Sequence, residues 1–388
     1  LNGIKLDTQP LKLDKNSPIP LYQQLLNWIR ELILTGQWKS GTRLPTEDEL
    51  TTELGISRVT VRQALGAAVD ENLLVRVAGR GTYVAEKVNV STSHGFIGYV
   101  VPTLSHSFNV QSLLGVESVV KQEGYHLIFS SSEGHIEKEN QSLKQLDFQG
   151  VVGFIVSPVY HESTDRYLKD LVGRGRTVVQ IDRCVDGLQA DLVSVDHYGG
   201  GYAITRHLID QGYTDILFFG RHPMELFSVS ERYRAYQMAL KDAGLNQRPP
   251  ILIRDDMGEM EYQSIQQIVR QPQHPKIASL IEWYKKGDLP QVIVAMNDLH
   301  ALLMLEAAHY AGLRVPEDIG VVGFDDLDFT SSLHPPLTTV AQPPYEIGVT
   351  AAKRLLARIK GEKSPAKFIS LPYRLVIRDS SVMVPQIV

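Results

Sequence analysis

The sequence predicts an α/β chain in two parts: a small helical module over residues 1–85, then a two-lobed domain of doubly wound parallel sheets over 95–388. Three observations predict it. Helix-start signals and a glycine-flanked hairpin crowd the first 85 residues. Residues 86–94, with Ser91-Thr92-Ser93, are small and polar and lack apolar periodicity, which reads as a linker. Beyond them, short apolar runs alternate with amphipathic helical stretches.

In the first part, Leu21, Leu25, Ile29, Leu32 and Ile33 recur at helical spacing, giving a helix that ends near Gly36. Pro45-Thr46-Glu47-Asp48-Glu49 is a capping box: Thr46 caps a second, short helix that ends at Leu54-Gly55, and Glu49 reaches back. Ser57 caps a third helix with Val61, Leu65 and Val69 on its buried side. Two short strands between Leu73 and Ala85 flank Gly79-Arg80-Gly81. Helix, helix-turn-helix and a two-stranded wing, in this order, make a winged helix-turn-helix module.

The second part contains apolar runs at Phe96–Val101, His126–Ser130, Val151–Val156, Thr177–Ile181, Ile216–Phe219, Val292–Ala295 and Gly320–Phe324. Their alternation with helices indicates parallel strands covered on both faces. About 300 residues exceed one ordinary doubly wound sheet, so two lobes with a cleft between them are expected. Open parallel sheets bind ligands at the carboxyl ends of their strands.

Composition narrows the classes. The 388 residues are 43% apolar, enough for two or three cores. The net charge of -5 excludes a globally basic nucleic-acid binder, so such a role has to rest on local charge. A single cysteine, Cys184, allows no disulfide within the chain and no thiolate cluster, and a reducing cytoplasm is expected. Leu1–Pro20 shows no cationic segment followed by an apolar stretch, so no signal peptide is expected. Runs such as Val151–Val156 are too short to span a bilayer, and no membrane partner is expected.

Local charge is informative over Leu1–Val84, where ten Lys or Arg face nine Asp or Glu, a balance of +1. Arg58 and Arg62 lie one turn apart on the third helix and share a face; Arg76 and Arg80 belong to the wing. Glu47, Asp48, Glu49 and Glu53 lie on the preceding helix instead. A helix in the major groove can set arginines against guanine edges, each bidentate contact contributing roughly 1–3 kcal/mol of discrimination. Ser57 and Thr60 suit phosphates, and Arg80 between Gly79 and Gly81 suits a thin wing tip entering the minor groove. Taken alone, Arg58 and Arg62 read first as a solvated helix face, and it is the order of elements that favours the DNA reading.

This segment resembles the winged-helix module of the GntR family of regulators. The likeness runs through Pro20-Leu21-Tyr22, Arg43-Leu44-Pro45-Thr46-Glu47, Gly55-Ile56-Ser57-Arg58-Val59-Thr60-Val61-Arg62 and Gly79-Arg80-Gly81-Thr82-Tyr83-Val84. The resemblance implies operator contacts by Ser57, Arg58, Thr60, Arg62, Gly79 and Arg80. Asp48 departs from the pattern, since several members carry an arginine there, and no contact is carried over to it.

The second part resembles the sugar-sensing domain shared by the lactose and galactose repressor family and the periplasmic ribose-binding proteins. The motifs are Ile97-Gly98-Tyr99-Val100-Val101-Pro102, Asp182-Arg183, Asn297-Asp298, Val321-Val322-Gly323-Phe324-Asp325-Asp326 and Pro336-Leu337-Thr338-Thr339-Val340-Ala341-Gln342. The pairing of the two domains resembles the arabinose repressor group. By this resemblance His106, Phe108, Asp182, Arg183, Arg232, Asn297, Asp325 and Gln342 contact the ligand. The chemistry agrees: Arg183 and Arg232 are forks of donors, Asp182 and Asp325 acceptors, Asn297 and Gln342 both, with Phe108 a stacking surface and His106 a polar neighbour. Ala235 departs, because the family usually has Gly three residues after the arginine matching Arg232.

Blander readings stand beside these. Asp182 by itself reads as a helix cap or turn residue, as do Asp326 and Asp328. Phe227 reads as a lid aromatic or as core. Cys184 carries no mark of an activated thiol. Gly199-Gly200-Gly201 lacks the lysine and spacing of a phosphate loop and reads as close packing at a helix start. The histidines have no paired spacing, and neither metal nor cofactor is expected.

The expectation is therefore a non-enzymatic, dimeric, cytoplasmic regulator. Its partners would be double-stranded operator DNA and a small sugar, a pentose before a hexose, and repression would be relieved by the sugar. The alternatives are the same architecture with a purine effector, and a sugar-carrier protein. An enzyme of the cofactor-dependent transaminase type is disfavoured by the absence of a recognisable lysine motif.

Overall fold

A computed structural model describes residues 13–14, 20–34, 36–71, 73–77, 79–85, 95–105, 107–159, 167–222, 224, 226–254 and 267–382. The linker expected at 86–94 lies outside them. Two compact units divide the chain, Leu1–Ser93 and His94–Val388.

In the first unit, α1 (Leu21–Leu34), α2 (Glu47–Leu54) and α3 (Arg58–Asp70) precede the strands β1 (Leu74–Val77) and β2 (Gly81–Val84). The strands pair antiparallel, from Leu74 opposite Val84 to Val77 opposite Gly81. The α1 face of Leu25, Leu26, Ile29 and Leu32 packs on Val61, Ala64, Leu65 and Ala68 of α3. Val69, expected on the buried side of α3, is only half-buried; Ala64 and Ala68 continue that side, because the 100° step per residue turns Val69 toward its edge. Trp28 and Trp38 meet edge-on at 5.5 Å.

The second unit contains two parallel sheets. The first sheet orders its strands β13-β7-β6-β5-β3-β4: β3 (Phe96–Val101), β4 (His126–Ser131), β5 (Gly153–Val156), β6 (Thr177–Ile181), β7 (Asp191–Val195) and β13 (Phe368–Leu371). Helices α4 (Ser107–Gln122) and α11 (Pro344–Ile359) cover one face, with Val116, Ile347 and Leu355 against Ile97, Ile155 and Val179. The other face carries α5 (Ile136–Phe148) and α6 (Tyr167–Gly173), with Leu143 and Leu168 against Val100 and Phe154.

The second sheet has the order β11-β10-β8-β9: β8 (Ile216–His222), β9 (Ile251–Arg254), β10 (Val292–Ala295) and β11 (Gly320–Val322). Its faces bury α7 (His197–Asp210) with α8 (Phe227–Asp242), and α9 (Pro275–Lys285) with α10 (Asp298–Ala311). Strands β12 (Thr339–Ala341) and β14 (Arg374–Val376) form an antiparallel pair beside it. The chain passes between the lobes after β7, after β12 and after β13. These passages bring the carboxyl ends of the strands, where polar residues collect, toward a common cleft.

Candidate functional site

Helix capping places the first set of candidate residues. Thr46 Oγ1 accepts from the Glu49 amide at 3.3 Å while Glu49 Oε2 accepts from the Thr46 amide at 2.6 Å, and Gly55, at φ 60°, ends α2. Ser57 Oγ accepts from the Thr60 amide at 3.1 Å and lies 2.8 Å from Thr60 Oγ1, so both hydroxyls help to start α3. Arg58 and Arg62 are exposed on α3, and Arg80 is exposed at the wing tip. Gly79 and Gly81 both have positive φ, and a Cβ at Gly81 would come within 3.2 Å of Arg43 Nε.

The acids of α2 do not stand apart from these arginines, contrary to the sequence reading. Glu47 Oε2 accepts from Arg62 Nη2 at 3.2 Å and lies 3.5 Å from Arg58 Nε; Glu47 Oε1 lies 3.8 Å from Arg76 Nη2. Asp48 Oδ1 lies 3.3 Å from Arg58 Nη1. Position along separate helices concealed this, because the turn folds α2 across the start of α3.

In the second unit, Asp182 follows β6 in a left-handed turn at φ 62° and caps no helix. Arg183 Nε donates to Asp182 Oδ2 at 3.2 Å. His197 Nε2 lies 3.4 Å from Asp182 Oδ1 and 2.9 Å from Ser194 Oγ. Arg232 Nη2 lies 3.3 Å from His197 Nδ1; since a guanidinium only donates, Nδ1 is the bare nitrogen and Nε2 carries the hydrogen. Arg232 also donates to Met296 O at 2.6 Å and to Asp325 Oδ1 at 3.2 Å, and its guanidinium lies 3.6 Å from the Phe324 ring centre. Gln342 Nε2 donates to the same Asp325 oxygen at 2.6 Å.

Seven side chains, Asp182, Arg183, Ser194, His197, Arg232, Asp325 and Gln342, thus form one largely buried network. Within it, Arg232 Nε and Gln342 Oε1 are buried and lack a hydrogen-bond partner among the described residues. Burial opposes ionisation of Asp182, but the His197 hydrogen bond and the charges of Arg183 and Arg232 outweigh it and hold the carboxyl at about 2. Burial lowers Arg183 to about 10 and lowers His197 below its ordinary value. Asp325 is pushed up by burial and by the Asp182 charge, against the pull of Arg232 and Gln342.

The remaining candidates are placed differently. Asn297 caps α10: its Oδ1 accepts from the His300 amide at 3.0 Å and lies 2.7 Å from His300 Nδ1. Phe108 lies in α4, 7% exposed, within the core cluster of Tyr99, Val101 and Ile181. His106 lies outside the described residues. A cavity of about 300 Å³ opens between Leu104, Ser105 and Gln111 of one lobe and Leu327, Asp328 and Phe329 of the other.

Sequence reasoning missed His197 and Asp298. Asp298 is fully buried; its carboxylate accepts from Thr339 Oγ1 at 2.6 Å and from the Leu327 amide at 2.8 Å. Burial and the Asp325 charge push its carboxyl up. A local clue exists for His197, a histidine opening a helix directly behind Asp196. Of the residues read blandly, Asp326, at φ 54°, pairs with Arg378 at 2.7 Å. Phe227 packs edge-on to His197 at 6.0 Å. Gly200 and Gly201 let α7 close on Phe324 and on the Arg232 backbone, with 2.9 and 3.0 Å to an added Cβ. The Cys184 thiol is pushed up to about 11 by burial and by Asp186 and Glu231, the opposite of activation.

Comparison with known proteins meets this geometry at both units. Residues 21–84 match the gntR family of bacterial regulatory proteins, and residues 205–381 match the periplasmic binding protein-like domain. The chain joins a gntR-type domain to a periplasmic-binding-protein-like domain. The arabinose metabolism transcriptional repressor of Geobacillus stearothermophilus is 29% identical over 95% of this chain and 99% of its own length. The transcriptional repressor PurR of Photobacterium profundum is 28% identical over 84% of this chain and 90% of its own. Among solved structures, a LacI-family transcriptional regulator from Enterococcus faecium with bound ribose has a TM-score of 0.62 at 25% identity, covering 74% of this chain and 99% of its own. The gntR match contains α1 through β2, with every operator-contact candidate. The periplasmic-binding-protein-like match begins within α7 and includes Arg232, Asn297, Asp325 and Gln342. Among the described residues, no helix is long and apolar enough to cross a membrane, and no cluster of three or more His, Cys, Asp or Glu residues could hold a metal ion.

Proposed function

We propose that this chain is a transcriptional repressor, dimeric and cytoplasmic, whose hold on operator DNA is set by a small sugar bound between the lobes of the second unit. One observation carries the sugar reading: the buried network from Asp182 to Gln342 leaves an unmet donor, Arg232 Nε, and an unmet acceptor, Gln342 Oε1. A hydroxyl is both donor and acceptor, so a polyol satisfies such a pair, whereas a buried polar atom left unmet costs about 1–3 kcal/mol. Among small sugars a pentose is proposed before a hexose, as the resemblance of the Asp182-Arg183 turn to ribose-type sites implies. Asp182, Arg183, Arg232, Asp325 and Gln342 are the proposed contacts; Asn297, Phe108 and His106 are proposed by the resemblance alone. In the first unit, Ser57, Arg58, Thr60, Arg62, Gly79 and Arg80 are the proposed operator contacts.

The working cycle follows from these parts. Ligand closes the lobes, the dimer interface shifts, and the two reading modules no longer match their half-sites. A coupling of about 1–3 kcal/mol changes operator affinity roughly 5- to 150-fold. The proposed role is binding and switching, with no chemical step. A purine effector is the second reading, favoured by the relatives named PurR. Against it, the Phe324 face is already covered by Arg232 and cannot stack on a base.

Thermal unfolding of the chain with pentoses, hexoses, inositols and purines tests the reading, because a ligand that binds only the folded state raises the midpoint. A pentose is expected to raise it in the wild type, and Arg232→Lys is expected to lose the response, since lysine lacks the fork that bridges Met296, His197 and Asp325. A response confined to purines overturns the sugar reading.

A further inference from the structure

Three guanidiniums from two elements of the first unit converge on one carboxylate. Arg62 donates to Glu47 Oε2 through Nε at 3.3 Å and Nη2 at 3.2 Å; Arg58 Nε lies 3.5 Å from the same oxygen; Arg76 of β1 approaches Oε1 at 3.8 Å. Glu47 is also the most enclosed member, with its side chain 25% exposed against 57%, 61% and 48% for Arg58, Arg62 and Arg76. Asp48 is different. Its side chain is 73% exposed and meets Arg58 from the outer edge, at Nη1.

The two acids therefore act on opposite sides of the fork. A guanidinium held on its Nε edge, as Arg62 is through Nε and Nη2, still offers its outer edge, one N–H on each Nη, to a planar acceptor pair such as a guanine edge. Without a central carboxylate, three like charges repel and each long side chain recovers its rotamer freedom, which must be lost again on binding. A carboxylate on the outer Nη group, by contrast, occupies a donor that DNA needs and has to be displaced.

We infer that Glu47 is a positioning residue for the base-reading arginines and Asp48 their competitor, so that the pair sets the ratio of specific to non-specific DNA binding. The inference rests on the reading of this module as a DNA reader. Non-specific binding is governed by phosphate charge and needs no defined arginine geometry. Glu47 thus favours operator over random sequence, while Asp48 restrains both. If the acids merely subtracted charge, removing either one would tighten binding to every DNA.

The test uses the full chain, an operator selected by the wild type from a random-sequence duplex library, and an unselected random duplex of the same length. Binding is followed by fluorescence anisotropy across a salt series. Glu47→Gln is expected to weaken operator binding roughly tenfold, the scale of one lost bidentate contact. The same change leaves the random duplex bound as tightly or more tightly. Asp48→Asn is expected to tighten both, as is Glu53→Gln, which removes an equal charge from the exposed side of the same helix. Glu47→Asp keeps the charge but shortens the reach, and is expected to weaken operator binding as well. In an Arg58→Ala/Arg62→Ala background, Glu47→Gln has no further effect on the operator. Unchanged thermal midpoints show that loss of binding is not loss of fold, and Glu47→Asp carries the test if Glu47→Gln does not fold. Tightening of operator binding by Glu47→Gln, in step with Glu53→Gln, overturns the inference. Failure of the wild type to bind any duplex overturns the DNA reading itself.

Discussion

At the scale of single residues, the cleft is organised by largely buried charges that pair with one another. Asp182 stays ionised despite burial because His197, Arg183 and Arg232 surround it. Asp298 is in the opposite position: fully buried, beside the Asp325 charge, and bonded only by an amide and a hydroxyl, it holds its proton more tightly folded than unfolded. The folded state therefore binds more protons, and the sign follows from linkage. The contribution of Asp298 to stability is fully present below the ordinary carboxyl range and is lost as pH rises through its raised value. Asp298→Asn is expected to flatten the fall in stability between mildly acidic and mildly alkaline pH. Urea unfolding at a series of pH values checks this; a slope unchanged in the variant contradicts it. Asp182, Arg183 and Asp325 were legible because they directly follow predicted strands, whereas Arg232, inside α8, and Gln342 entered through the resemblance. His197 was not, since only the fold shows that its ring bridges Asp182 and Arg232, 15 and 35 residues away along the chain.

At the scale of elements, helix starts and most strands were readable from local pattern. The capping box at Thr46, the Ser57 cap and the strands Phe96–Val101, Thr177–Ile181 and Val292–Ala295 agree with the apolar runs and capping chemistry that predicted them. Strand β7 was missed because Asp191 and Ser194 interrupt its apolar run. Asp191 is buried there only because Arg354 and Arg358 reach it at 2.6 and 2.8 Å from the far end of the chain, a pairing no local window contains. Strands β12 and β14 are three residues each and have no pattern to read. The closest helix contact was equally hidden. Helices α4 and α11 pack backbone to backbone: a Cβ on Gly348 would lie 2.0 Å from Ser112 O, and one on Gly115 would lie 2.1 Å from Tyr345 O. Alanine is the better helix former by about 1 kcal/mol, yet the overlap forces the helices apart, at a cost of about 1–3 kcal/mol. Gly348→Ala is expected to lower the urea midpoint; an unchanged or raised midpoint contradicts the packing account.

At the scale of the whole molecule, two units with separate cores carry separate chemistries. The first offers exposed arginines on a capped helix and a glycine-edged wing; the second encloses a network with an unmet donor and an unmet acceptor. The order of elements in both units was legible because each repeats a local rule, capping in one and strand–helix alternation in the other. The identity of the ligand was not, because it depends on distances between side chains drawn together from three passages of the chain. What joins the two units into one function is the proposed dependence of DNA binding on ligand. The most direct measurement of that claim is the affinity of the full chain for its selected operator with and without the pentose that raises its thermal midpoint. The account predicts a drop of roughly 5- to 150-fold on adding that sugar, and no change in Arg232→Lys. Operator affinity that stays constant while the sugar binds would contradict it.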